Sequence, residues 1–453
     1  MALGGGTFTA YNKTLPGAYI NAISAPRAAA GESTRGVAAM PLLLDWGISG
    51  EVFEVTQEQF LSVTECAEIF GYANTHANMK NLRELFANAI KVYCYRLNGG
   101  GVKAENTFAT AKYAGTRGND FKIAIAVNVD DETKFDVKTL IDDVVYETQT
   151  VAAATALVSN AFVDFKTGAT LAANAGLALS TGTNVTTITG EIFSTFLSKL
   201  EQYSFNALGC PSADTAIHAL FDNYTKRLRD DMGVKFQTIR PKSATAIDYE
   251  GVIQIANTVT DAGATGYELV FYTTGAQAAC AITDSLLNST YAGEYTINTD
   301  YTQTELTAFI TGGVYAYHRT GAVVSVLDDI NSFTSFVEGK EKDFAENQVI
   351  RVLDHIAIEV GSLIFNSKYL GKIDGDKDGQ VSLWNDIVKQ HESMGKAIKN
   401  FDPADIVVTG NEAGDQTYVA DAVTPNKAMR QLYMTVVDQG AWRCIITLLF
   451  CEN

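Results

Sequence analysis

Apolar and polar positions change period several times along the chain, and the changes divide it. Arg35–Leu44 is an apolar run that reads as a buried strand. Two helices are expected next, Gln57–Phe70 and Asn78–Ala89; in the second, Met79, Leu82, Leu85, Phe86 and Ile90 recur at helical spacing. Lys91–Leu97 alternates as a strand and runs into the turn residues Asn98-Gly99-Gly100-Gly101. From Val102 the period becomes two. Thr107–Tyr113, Phe121–Val129, Lys134–Leu140 and Val144–Thr148 read as short antiparallel strands, followed by an Ala/Thr/Asn-rich stretch to Thr187. After Ile188, helices and strands alternate as in an α/β layer. Helix Glu191–Tyr203 precedes strand Phe205–Leu208, and helix Ala213–Asp231 precedes strand Val234–Ile239. Strands Val252–Ala256 and Glu268–Tyr272 lead to helix Ala276–Leu287, then Leu306–Ile310 and strands Val314–Tyr317 and Ala322–Val326. Phe344–Phe365 reads as a long helix with Ile350, Leu353, Ala357, Val360 and Ile364 on one face. A loop at Asp374–Gln380, a helix Leu383–Ile398 and a strand Asp405–Thr409 complete the body.

The two ends follow other patterns. Residues 1–24 are Gly-rich and then extended, closing on Pro16-Gly17-Ala18-Tyr19-Ile20, where a Pro-Gly turn opens strand-like alternation. Leu432–Val437 and Ala441–Phe450 are β-rich apolar runs hinged at Asp438-Gln439-Gly440. The second run is apolar on both faces, so it belongs inside a sheet, of this subunit or of a neighbour. The expected fold is an α/β (α+β) core with an inserted all-β domain and extended N- and C-terminal arms. Its parts are an N-terminal arm (1–24), a first core segment (25–98), the inserted β domain (99–187), the continued core (188–343), a C-terminal domain (344–437) and a terminal strand arm (438–453).

Composition narrows the function. The chain has 453 residues, 47% hydrophobic and 19% charged, enough for a substantial globular core. Its formal net charge of −18 disfavours nucleic acid and anionic membrane as partners. The acid is uneven: no Asp or Glu precedes Glu32, so Lys13 and Arg27 leave the leading segment mildly basic, suited to lie on an acidic body. The six cysteines (Cys66, Cys94, Cys210, Cys280, Cys444, Cys451) have no framework spacing and fit buried thiols in a reducing compartment. No signal-peptide pattern and no apolar run of about 18 residues is visible, so a soluble protein made in a cytoplasm is expected.

Candidate chemistry is sparse. The sequence holds no Walker-A loop, no strand-borne GxGxxG, no GxSxG and no HExxH, and its histidines (His76, His218, His318, His355, His391) are isolated. One stretch has chemical content. Asp374-Gly375-Asp376-Lys377-Asp378-Gly379-Gln380-Val381-Ser382 matches the first nine positions of an EF-hand loop, with carboxylates at 1, 3 and 5, Gly at 6 and the Gln380 carbonyl at 7. Asn385 stands where the closing Glu belongs, and Asp386 comes one residue late. Asp374, Asp376, Asp378, Gln380, Ser382 and Asp386 are therefore the candidate ligands of a weak Ca2+ site, against the plain alternative of an Asp/Gly turn between two helices. No other cofactor is expected.

Several stretches together resemble the tail sheath proteins of contractile phages and related contractile injection particles, including phage-tail-like bacteriocins. They are Pro16–Ile20, Arg35-Gly36-Val37-Ala38-Ala39-Met40-Pro41-Leu42, Val92–Gly100, Ala111–Asp120 with its Gly-Thr-Arg-Gly-Asn-Asp, Arg351-Val352-Leu353-Asp354 and Leu432–Val436. The resemblance implies a structural, non-enzymatic subunit that polymerises with itself around an inner tail tube, meets baseplate and tail terminator proteins, and contracts by rigid-body rearrangement. It implies assembly in a bacterial host cytoplasm and a final place in a virion or released particle. The β insertion would face outward. Strand exchange through the arms would involve Pro16, Gly17, Ala18, Tyr19 and Ile20 at one end and Trp442, Cys444, Ile445, Ile446, Leu448, Leu449 and Phe450 at the other. The alternatives are an α/β hydrolase-like enzyme, or a non-contractile tube, capsid or surface-array protein.

Overall fold

The computed structural model describes residues 35–436. The first core segment opens with strand β1 (Val37–Leu42) and continues through β2 (Val52–Thr56), helices α1 (Gln57–Leu61), α2 (Val63–Phe70) and α3 (Lys80–Phe86), and β3 (Lys91–Arg96). The single helix expected over Gln57–Phe70 is two. Ser62 breaks it in an extended conformation, and its hydroxyl accepts from the Glu65 N–H, capping α2. β1 and β3 pair in parallel from Val37↔Lys91 to Leu42↔Arg96, and β2 runs antiparallel outside β3.

The chain then leaves the core to build a β-sandwich. Strands β4 (Lys103–Glu105), β5 (Ala109–Ala114), β6 (Phe121–Val127), β7 (Phe135–Ile141), β8 (Val144–Val151), β9 (Val163–Phe165) and β10 (Asn174–Ala178) form sheets of order β10-β6-β7-β8 and β4-β5-β9. Asp142 and Asp143, both at positive φ, make the tight β7–β8 turn. The sandwich core contains a residue from outside it. Trp46, fully buried, meets Phe121 and Tyr113 edge-on at 4.9 and 5.2 Å and stacks on Phe162.

Two buried arginines fasten this domain to the core. At the carboxyl end of β3, Arg96 donates to the Gly47 carbonyl (3.1 Å), the Ala114 carbonyl at the end of β5 (2.7 Å) and Asn184 Oδ1 (3.0 Å). Arg117 reaches the opposite way. Its Nε donates to the Gly71 carbonyl (2.7 Å), its two terminal nitrogens hold the Asp142 carboxylate (2.7 and 2.6 Å), and its guanidinium lies 4.2 Å from the Tyr72 ring. Gly115 has φ +143, and an added Cβ would lie 2.0 Å from the Asp45 carbonyl oxygen, so only glycine fits there. Asn119 and Gly182 exchange hydrogen bonds at 3.0 and 2.8 Å. The Gly-Thr-Arg-Gly-Asn-Asp stretch is thus the hinge-pin of the domain junction.

The returning chain adds α4 (Gly190–Leu200), β11 (Ala207–Gly209), α5 (Thr215–Lys226), β12 (Gln237–Pro241), β13 (Val252–Ile255), α6 (Leu269–Ala279), α7 (Gln303–Thr311) and the hairpin β14 (Tyr317–Thr320) and β15 (Val323–Val326). The core sheet has order β13-β12-β11-β1-β3-β2, all parallel except β2. One face carries Met40, Leu42, Val92 and Ile239 against α3 and α6; the other carries Ala39, Tyr93, Tyr95 and Leu208 against α4 and α5. Burial on both faces explains the continuous apolar runs of β1 and β3. The strand expected at Glu268–Tyr272 and the helix expected at Ala276–Leu287 are instead the one helix α6, which ends at Ala279. Leu269 through Ala278 are all buried, so no polar face marks the helical period. Gly275 lets α6 approach the Leu85 carbonyl, which an added Cβ would meet at 2.3 Å.

The C-terminal part begins with α8 (Asn347–Ile358), extended by π-type turns over Glu359–Tyr369, and α9 (Lys377–Ser393). Short strands β16 (Ile398–Lys399) and β19 (Thr424–Pro425) flank a hairpin of β17 (Ile406–Gly410) and β18 (Thr417–Asp421). Alternating Thr417-Tyr418-Val419 was the available sign of β18, absent from the sequence-based expectation. α8 is keyed into the core by two ion pairs from its Arg351-Val352-Leu353-Asp354 stretch. Asp354 is held by Arg229 (2.7 and 2.9 Å), and Arg351 by Asp329 (2.7 Å). Gln277 and Asn347 also donate to Asp329, each at 2.9 Å. Burial opposes ionisation of Asp329, but Arg351 and these donors outweigh it and hold the carboxyl below its ordinary value.

Arg117→Ala is expected to destabilise the chain by about 3 kcal/mol in equilibrium unfolding and to expose the 98–102 junction to proteolysis. Asp329→Asn, which leaves Arg351 buried without its counter-charge, is expected to cost about 3–5 kcal/mol at neutral pH. Because the folded pKa of Asp329 is depressed, its stabilisation is present above the unfolded value of about 3.9 and is lost as pH falls through the folded one. The acid limb of a stability–pH curve should therefore be flatter in D329N than in the wild type.

Candidate functional site

The candidate arm residues Pro16, Gly17, Ala18, Tyr19, Ile20, Trp442, Cys444, Ile445, Ile446, Leu448, Leu449 and Phe450 lie outside the described residues. What is described is the surface from which the C-terminal end departs. After β19, Asn426 N–H donates to the Ala397 carbonyl and Ala428 N–H to Gln348 Oε1. Lys427 pairs with Asp343 and Glu346, and Arg430 pairs with Asp328 and Glu346. The chain is thus anchored by charge as far as Arg430. Beyond it, Leu432, Tyr433, Met434 and Val436 are 77%, 88%, 71% and 80% exposed. The strand expected at Leu432–Val437 does not form over its described residues, 432–436, and no strand among the described residues pairs with them.

Close by in sequence is a sheet that lacks partners. β17 and β18 pair only with each other among the described residues, from Ile406↔Asp421 to Gly410↔Thr417. An isolated two-stranded sheet is marginal in water, and this one rests on α9. Ile406 and Val419 pack into the apolar cluster with Leu383 and Ile387, and Trp384 Nε1 donates to the Ile406 carbonyl at 2.9 Å. His391 fixes the far strand. Its Nδ1 faces the Ile387 carbonyl at 3.0 Å and its Nε2 faces Asp421 Oδ2 at 2.9 Å, both of them acceptors. The hairpin is thereby held in place, and no further strand among the described residues lies along either outer edge, although Trp384 already takes the Ile406 carbonyl of β17.

The Asp374–Ser382 stretch takes a different shape from the expected calcium loop. α9 starts at Lys377, so Asp378 to Ser382 are helical instead of wrapping an ion. Asp376 is the N-cap, its Oδ1 accepting from Gly379 N–H at 2.8 Å. Gln380 Nε2 is bonded to the Gly375 carbonyl, and Asp386 accepts from Tyr369 and Lys368. No group of three His, Cys, Asp or Glu side chains able to hold a metal occurs among the described residues. With Asn385 donating to the Val381 carbonyl, nothing closes the loop from position 12. Asp376→Ala should lower stability by about 1 kcal/mol through loss of the cap, equally with and without calcium. A calcium-dependent rise in melting temperature that D376A abolishes would support a metal site here.

A catalytic crevice in an open parallel sheet lies at the carboxyl ends of its strands, where strand order reverses. Here that place is between β1 and β11, and the domain junction occupies the β1 and β3 ends. Asn98 Oδ1 accepts from Leu44 N–H, and Asp45 takes Tyr72, Asn78, Thr116 and Asn184. His218 is buried, its Nε2 against the Ser212 carbonyl, and burial lowers its pKa.

Comparison with known proteins agrees with this assembly-oriented architecture. Four family models match in succession: the N-terminal region of tail sheath protein Gp18 domain III over residues 35–97, the phage tail sheath β-sandwich domain over 94–184, the phage tail sheath central domain over 186–332 and the phage tail sheath C-terminal domain over 339–438. The phage-like element PBSX protein XkdK of Bacillus subtilis (strain 168) is 30% identical over 472 residues, spanning 96% of this chain and 99% of that one. The solved sheath tail protein from Desulfitobacterium hafniense is 32% identical, with a TM-score of 0.79, covering 90% of this chain and 98% of that one. The sheath tail protein Lin1278 from Listeria innocua is 29% identical, with a TM-score of 0.73, covering 90% and 95%. The chain belongs to the phage tail sheath protein family.

Proposed function

We propose that the chain polymerises into a tubular sheath by lending its ends to neighbouring subunits, and that the sheath contracts by moving these subunits as rigid bodies. The observation that carries this reading is the bare apolar run beyond Arg430. Leu432, Tyr433, Met434 and Val436 face water in the single chain, directly after a segment anchored by Lys427 and Arg430. Apolar side chains in sequence at a charged anchor are a docking element awaiting a partner. The β17–β18 hairpin, with no further strand beside it among the described residues, is the matching receptor. Adding a strand to such an edge supplies backbone hydrogen bonds as well as pockets for alternate side chains. A head-to-tail contact of this kind does not close on itself and propagates.

The partners are then further copies of this chain, an inner tail tube protein, and baseplate and terminator proteins at the two ends. Assembly would take place in a bacterial host cytoplasm, and the product would be a virion or a released phage-tail-like particle. No helix among the described residues is long and apolar enough to cross a membrane. The enzyme reading is disfavoured because Arg96, Asp45 and Asn184 fill the β1 and β3 ends, beside the switch point, with the root of the inserted domain. The energy for contraction would be stored in the lattice during assembly, so no nucleotide site is required.

Electron microscopy of the full chain beside a version lacking Trp442 to Asn453, and beside Leu432→Asp/Tyr433→Asp, tests this. Tubes from the wild type and only folded monomers from both variants are expected. Tubes from the truncated chain would show that the lattice uses another interface.

A further inference from the structure

Between the start of β12 and α8 lies a small polar cavity of about 20 Å³, lined by Arg35, Asn206, Lys235, Arg351, Asp354 and His355 among others. A single water needs about 10–15 Å³ of such volume, so the space admits one larger sphere, while a phosphate or sulfate is too big. The charges around it do not balance. Arg351 is paired with Asp329, and Asp354 gives both oxygens to Arg229. Arg35 has neutral partners: its Nε donates to the Cys280 carbonyl (2.6 Å) and a terminal nitrogen to the Gln277 carbonyl (2.8 Å), at the end of α6. Among the described residues, Lys235 Nζ donates only to the Arg229 carbonyl, at 3.3 Å. Among the described residues that line the cavity, the three cations Arg35, Lys235 and Arg351 therefore face the one carboxylate Asp354, while Asp230 and Glu250 stand further from Lys235, Glu250 being paired with Lys340. His355, at the rim, has Glu359 4.0 Å away.

Two further facts point inward. Arg351 is 2% exposed, and its Nε is buried without a partner among the described residues. Asn206 uses its Oδ1 on the Gly36 and Val37 N–H groups, which orients its amide NH2 as a donor. Buried cations of this kind are costly unless something compensates them. Burial, reinforced by Arg229, pulls the Lys235 ammonium down to about 8.

We propose that this cavity binds one small monovalent anion of chloride size, held by Arg35, Lys235, Arg351 and the Asn206 amide. The ion joins the first described strand of the core to α8, the helix that leads into the C-terminal part. Nothing in the assembly argument requires it, so the two stand or fall separately.

The test uses the full chain, dilute enough to be monomeric, in sodium chloride and in sodium gluconate at equal ionic strength. A saturable rise in melting temperature of about 2–4 °C in chloride is expected, matched by bromide. Lys235→Gln should abolish the rise, while the surface control Lys372→Gln keeps it. Chloride-nucleus NMR line broadening reports binding without reference to stability. Excess broadening by the wild type that bromide displaces supports the site, and this reading holds even if K235Q fails to fold. Equal melting temperatures in the two salts with no excess broadening would mean an ordered water only and overturn the proposal. A chloride effect that appears only in Glu32→Gln would overturn it too, because the chain's own carboxylate would then supply the negative charge.

Discussion

A buried guanidinium must have acceptors placed around it, and five arginines impose that constraint here. Arg96, Arg117, Arg229, Arg240 and Arg351 are each 3% exposed or less. Four stand where separate parts of the chain meet. Arg96 and Arg117 join the core to the sandwich, and Arg229 and Arg351 join the core to α8. Arg240 holds Asp222 of α5 against the sheet. Apolar packing would tolerate small slips at these seams, whereas a fork of N–H donors aimed at fixed carbonyls and carboxylates fixes one arrangement. Whether such pairs add net stability is a separate matter, since desolvation offsets much of their attraction. What they supply is a subunit whose parts keep their mutual positions.

That rigidity is what a contracting lattice asks of its units. If a subunit bent internally, displacement at one contact would be absorbed before reaching the next. The core sheet has the layout of many α/β enzymes, with helices on both faces and a reversal of strand order, yet fold alone carries no activity. On one side of the place where such sheets bind ligands, the β1 and β3 ends carry the root of the inserted domain. Trp46, contributed by the core to the sandwich interior, extends the same joint on its apolar side.

Much of this architecture was legible in the sequence where burial was one-sided or the period clean. α4 displayed Phe193, Phe196, Leu197 and Leu200 at helical spacing, and β6 to β8 alternated visibly. Legibility failed where the environment was uniform. α6 is enclosed on all sides, with even Thr273, Thr274 and Gln277 buried, so no exposed face marks its period and its apolar first turn reads as a strand. The Asp374–Gln380 stretch shows a different limit, since carboxylates before a helix serve equally as calcium ligands or as a cap, and the sequence does not announce the cap that Asp376 forms. The arginine clamps were invisible for another reason. Arg96 and Asn184 are 88 positions apart, and Arg229 and Asp354 are 125 apart, so no local pattern announces the pairing. The resemblance motifs contained Arg117, Arg351 and Asp354 all the same, and the structure supplies their physical reason.

The paired anchors at Lys427 and Arg430 have a geometric consequence. They fix both the point and the direction in which the C-terminal end leaves the subunit. A flexible tether would let one subunit find its neighbour at any angle, and the polymer would have no defined pitch. Two cations on Asp343, Glu346 and Asp328 set the place from which residues 431–436 leave the body of the single chain, and if that end is what a neighbour receives, the angle between copies would be the same at every step. On the proposed strand exchange, Lys427 and Arg430 would then bear on the pitch of the polymer without touching the neighbouring copy.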